Sequence, residues 1–87
     1  MAHQKDPELA FFLRNLASED VVRLSAFLNG EAAFAREQSQ RAAHRVARGE
    51  LHPIALAQCQ EYSRRSLEAL QQALGELAVR GMAVAEG

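Results

Sequence analysis

The 87-residue sequence contains no tryptophan, one cysteine, one lysine and two prolines. Each scarcity excludes something. Cys59 has no second cysteine to join, so a disulfide-stapled scaffold is ruled out and a reducing compartment is expected. No apolar run approaches the ~20 residues that cross a bilayer, so no membrane segment is expected. Residues 1–9 carry charge and Pro7 and have no apolar stretch, so no signal peptide is expected, and cytoplasmic residence follows as the default. An excess of charge of one sign is also missing. The formal net charge is −1, which is neither a basic footprint for nucleic acid nor an acidic surface imitating it.

What is present favours helices. Hydrophobic residues make up 48% of the chain and charged residues 24%, an ordinary globular balance. Alanine and leucine dominate the apolar set and β-branched residues are few, which suits helix over strand. Nine of the ten basic residues are arginine. A chain of this length forms one domain, residues 1–87, and buries only roughly two-thirds of its unfolded surface.

The sparse punctuation divides the chain into three helices. Asp6-Pro7-Glu8 reads as a helix start, with a capping carboxylate, proline in the first turn and an acid at the positive end of the dipole. Leu9, Phe12, Leu13 and Leu16 then share one face, predicting a short helix over about residues 7–17. Ser18 is the expected cap of a second helix, about 19–48. On a wheel of 100° per residue, Val21, Leu24, Leu28, Ala35, Ala42 and Val46 fall within about 60° of one another. That phase survives Gly30, so one continuous helix is expected rather than two. Gly49 to Pro53 is the clearest turn, and so short a loop returns the chain as an antiparallel neighbour. The third helix, about 53–80, carries a heptad-like seam that is strongest from Leu67 to Leu77. Residues 82–87 are expected to fray.

The expected architecture is therefore all-α: a short N-terminal helix followed by a long antiparallel hairpin. Its core seam is Leu24 and Leu28 against Leu67, Leu70, Leu74 and Leu77. Near the turn, Ala35, Ser39, Ala42, Ala43, Cys59, Ser63 and Ser66 give a thin core that buries little area. Phe27 and Phe34 lie about 90° from the main stripe and form a second apolar edge. The short first helix is the obvious element to dock there. Phe11 is also left over. Two hairpins pairing into a four-helix-bundle-like homodimer satisfy all of these edges. The alternative is a monomeric three-helix bundle whose groove takes a partner's helix.

Chemistry is hard to find. His44, His52 and Cys59 make three metal ligands at most, where structural zinc takes four, and neither CxxC nor HExxH occurs. Ser25, Ser39, Ser63 and Ser66 fall inside helices, away from any strained nucleophile turn. No catalytic residue, metal or cofactor is expected. One asymmetry stands out. Residues 6–31 hold five acids against Arg14 and Arg23, whereas residues 36–65 hold six arginines against three glutamates. Arg41, His44, Arg45, Arg48, Arg64 and Arg65 form a candidate basic patch near the turn. Two function classes follow. The first is a non-enzymatic interaction module (an adaptor, chaperone-like protein or inhibitor) working through helix–helix contacts, with Phe11, Phe27 and Phe34 as the candidate interface and another protein or itself as partner. The second is a small nucleic-acid-associated regulator using the arginines. The outline is similar to that of many small bacterial adaptors, secretion chaperones and phage-encoded inhibitors. The similarity is one of architecture, and no motif carries a residue over.

Overall fold

The structure, a computed structural model, describes residues 6–82. Three helices account for almost all of them: α1 (Pro7–Arg14), α2 (Ser18–Ala47) and α3 (Pro53–Val79), with no strand among the described residues. The expected frayed tail, apart from Met82, lies outside that range. α2 and α3 form the antiparallel hairpin, and α1 packs mainly on α3. The principal extents are 48 × 29 × 19 Å.

The helix ends follow local chemistry. Asp6 Oδ1 accepts the Glu8 and Leu9 amides at 3.0 and 3.4 Å, and Pro7 opens the first turn of α1. α1 stops at Arg14, three residues earlier than the periodicity implies. The Asn15 amide turns back onto the Phe11 and Phe12 carbonyls, and Ala17 is extended at φ −62°, ψ 148°. Ala17, not Ser18, is therefore the N-cap of α2, and it offers no capping side chain. The Ser18 hydroxyl is used elsewhere: it accepts Arg80 Nη1 at 3.0 Å.

α2 passes Gly30 without a break. It ends in a Schellman motif, with the Gly49 amide on the Val46 carbonyl at 3.0 Å and the Glu50 amide on that of Arg45 at 2.8 Å. Gly49 adopts φ 74° to close it. α3 ends in the same way: Gly81 takes φ 72° and the Met82 amide reaches the Leu77 carbonyl at 2.9 Å. His52 caps α3, its Nδ1 accepting the Ile54 amide at 3.1 Å.

The tight core lies at the base of the hairpin. Leu13, Val21, Ala73 and Leu77 are essentially inaccessible, ringed by half-buried Leu9, Leu16, Leu24, Leu28, Leu74 and Met82. On α3 the buried positions are Ser66, Leu70, Ala73 and Leu77. Their spacing of four, three and four is that of a packing seam. Leu67, expected inside it, is instead 43% exposed. The seam is turned toward the small residues Ser66 and Ala73, which admit a close neighbour, and Leu67 falls on its flank. α2 shows the same preference, with Ser25, Ala35 and Ala42 buried while Leu24 and Leu28 are only half-buried.

The docking of α1 also differs from expectation. Leu13 enters the core among Val21, Ala73 and Leu77, and the Phe27–Phe34 edge is left uncovered. Reach explains this. Eight residues of helix span about 12 Å, whereas Phe34 stands about 24 Å along α2 from Ser18. α1 is held at both ends by α3. Gln72 accepts the Asp6 amide at 3.2 Å and donates to the Asp6 carbonyl at 2.8 Å, while Arg80 holds the other end. Gln72 and Arg80 are eight residues apart, which matches the length of α1.

Candidate interaction surface

The hairpin leaves a row of aromatic side chains in contact with solvent. Phe27 and Phe34 are 61% and 57% exposed, and Phe11 is 65% exposed on α1. Phe27 and Phe34 sit two turns apart on one face of α2, about 10.5 Å along its axis. Between them, Glu31 accepts a hydrogen bond from the Tyr62 hydroxyl of α3. That bond raises the Tyr62 pKa, because the phenol gives its proton to a carboxylate that would repel a phenolate. Tyr62 was not foreseen as part of this surface: nothing in the spacing of residues 31 and 62 links them.

The opposite side of the hairpin carries a shallow groove. One stretch, about 180 Å³, runs past Asn29, Ala32, Arg36, Ser63 and Leu67. The exposed Leu67 therefore edges this groove. No carboxylate lies in ion-pairing range of Arg36 among the described residues.

The candidate basic patch is largely answered from within. Arg41 pairs with Glu37 at 2.7 Å and Arg48 with Glu50 at 3.2 Å. Arg64 is held by Glu61 and Glu68, and Arg65 by Glu61 at 3.2 Å. The hydrogen bonds from Arg64 hold the Glu61 carboxyl below its ordinary range. Arg45 and His44 are exposed and have no ion-pair partner among the described residues. In-helix pairs of this kind are worth a few tenths of a kcal/mol each, so a strong acidic ligand could still displace them.

Among the described residues no three His, Cys, Asp or Glu side chains come together to hold a metal ion. Cys59 is half-buried as a free thiol, and His52 is used as a helix cap. Among the described residues no helix is long and apolar enough to cross a membrane. No protein-family model matches the chain, and comparison with curated proteins and with solved structures returns no match.

Proposed function

We propose that this protein is a non-enzymatic interaction module, an adaptor, chaperone-like protein or inhibitor, that works by laying helix faces against other helices, its own copies included. The observation that carries the reading is the exposure of Phe27 and Phe34 on one face of α2. Each phenylalanine gains about 1.5–3 kcal/mol on full burial, so leaving two on one face favours whatever covers them. A hairpin whose upper half is packed with alanine and serine has little internal burial to rely on. Pairing two hairpins into a four-helix-bundle-like dimer supplies the missing contacts. The lone cysteine suits a reducing cytoplasm as the place of action.

Absolute mass by light scattering across a concentration series tests this. The expected result is a mass that rises toward twice the chain with concentration. Phe27→Ser with Phe34→Ser should abolish that rise and leave the helical circular dichroism unchanged. A mass fixed at one chain would remove self-association from the reading. Labelled DNA and RNA are the control, because arginines held by neighbouring glutamates make a weak phosphate surface. Saturable binding that weakens steeply with salt and is lost on Arg45→Ala would replace the protein-interaction reading with the nucleic-acid one.

A further inference from the structure

We propose that the occupant of the Phe27–Phe34 face is a second copy of this chain, running antiparallel, with the two-fold axis beside Gly30. This rests on the self-association reading above and adds to it an orientation and a register.

The face itself is one stripe of α2. Asp20, Arg23, Phe27, Gly30, Phe34 and Arg41 recur at helical spacings and stand within about 80° on the wheel. Asp20 lies at one end of it beside Arg23, with side chains 48% and 76% exposed, and Arg41 lies at the other end beside Glu37, 67% exposed. The hairpin as a whole carries a charge bias along its length. The base of the hairpin holds Asp6, Glu8, Glu19 and Asp20 from the first half and Glu68 and Glu76 from α3, against Arg14, Arg23 and Arg80. The turn end holds Arg41, Arg45 and Arg48 against Glu37 and Glu50, while Arg36, Arg64 and Arg65 stand at mid-hairpin, near the level of Glu31 and Tyr62. A rod that is acidic at one end and basic at the other complements a reversed copy of itself.

Register follows from the phenylalanines. If Phe27 of each copy meets Phe34 of the other, the axis falls between Gly30 and Glu31. The same axis then sets Asp20 against Arg41 of the second copy, and Arg23 beside its Gln38 and Glu37. Along the stripe each charge meets an opposite or neutral group, and the like charges nearest each other are the two Glu31 carboxylates beside the axis, each held by its own Tyr62. A parallel pair would instead put Arg41 on Arg41, Asp20 on Asp20 and turn on turn, with like charges throughout. At the axis the backbone is bare: a Cβ placed on Gly30 meets nothing within 4 Å, so the two helices have room to approach. The 48 Å length of the molecule accommodates the roughly 800 Å² per partner of a standard interface.

Cross-linking by engineered cysteines tests the register in the full chain carrying Cys59→Ser. Asp20→Cys and Arg41→Cys are made as separate proteins and oxidised alone and mixed. The expected result is a disulfide-linked dimer from the mixture and none from either protein alone. Efficient linking of each protein to itself would mean a parallel pair and overturn the proposal. A dimeric mass with no cross-link in any sample would place the interface on another face, which overturns it equally while leaving self-association intact. A monomeric mass before any oxidation would bring down the self-association reading first. A second readout does not depend on cysteines. Asp20→Arg or Arg41→Asp alone should weaken the dimer about five-fold or more, and the two together should recover most of that loss. Failure of the double variant to recover, with helical content unchanged, would also overturn the register.

Discussion

Arg80 reaches back across 67 residues of sequence to donate from Nη2 to the Leu13 carbonyl at 2.8 Å. It also takes Ser18 Oγ through Nη1 at 3.0 Å and pairs with Glu76 at 2.8 Å. The last turn of a helix has no internal partner for its carbonyls, and α1 is too short to bury them. Arg80 supplies that partner from α3 and fixes the angle at which the chain enters α2. With side chains 19% and 17% exposed, the Arg80–Glu76 pair is shielded as the surface pairs are not.

Arg80→Ala should therefore cost about 2 kcal/mol, more than loss of any exposed ion pair, because it strands Glu76 and the α1 carbonyls together. Arg80→Lys should recover only part, since an ammonium cannot reproduce the fork that reaches both Ser18 and Leu13. Urea denaturation of both variants beside Arg41→Ala, whose loss should stay under about 0.5 kcal/mol, checks the ranking.

The glycines divide into two classes with opposite expected signs. Gly30 and Gly75 lie inside helices, and an added Cβ at either meets nothing within 4 Å. Gly30→Ala and Gly75→Ala should each stabilise the monomer by about 0.5–1 kcal/mol through helix propensity. Gly49 and Gly81 hold φ 74° and 72°. Alanine there should cost about 1 kcal/mol, because a Cβ opposes the left-handed conformation. Thermal melts at concentrations where the chain is monomeric decide it. A destabilised Gly30→Ala would mean that α2 is broken in solution.

Much of this fold is legible in the sequence because it is written in local signals. Asp6-Pro7-Glu8, Gly49 and Pro53 act on their own neighbours, and they mark the start of α1 and the turn where the structure has them. The persistence of the α2 phase through Gly30 is likewise a local property. The early end of α1 at Arg14 is a local misreading, whereas the others are matters of neighbours distant in sequence. Leucine spacing alone points to Leu67, but the seam turns to Ser66 and Ala73 because small residues let helices close up. Ser18 looks like a cap until Arg80 claims its hydroxyl. Phe27 and Phe34 look like the dock for α1 until the length of α1 is measured against theirs. The surface is less legible: the exposed phenylalanines can be listed from the sequence, whereas the Tyr62–Glu31 contact depends on the hairpin register.

That turned seam can be checked by truncation. Leu77 is fully buried in the base core, whereas Leu67 is 43% exposed at the groove edge. Leu77→Ala should cost about 3 kcal/mol or more, and Leu67→Ala less than about 1 kcal/mol. Leu70, at 8% exposure, should fall nearer to Leu77. Equal losses at positions 67 and 77 would restore the leucine seam and move the close contact away from Ser66 and Ala73.

Tyr62 offers a spectroscopic test of the hairpin register, because it is the only tyrosine in the chain. Its hydroxyl donates to Glu31 across the two helices, so its pKa is raised above the ordinary 10.0, with the hydrogen bond as the leading cause. A raised folded-state value fixes the sign of the linkage. The stabilisation is complete below the ordinary tyrosine value and is lost as the pH climbs through the higher, folded one. An absorbance titration of tyrosinate should therefore show a midpoint above 10.0 for the folded chain. Glu31→Gln should bring it back toward that value, since an amide still accepts the bond but no longer repels the phenolate. An unshifted midpoint in the parent would mean that residues 31 and 62 are not level in solution. The hairpin would then have slipped, and every contact above the base core would have to be reassigned with it.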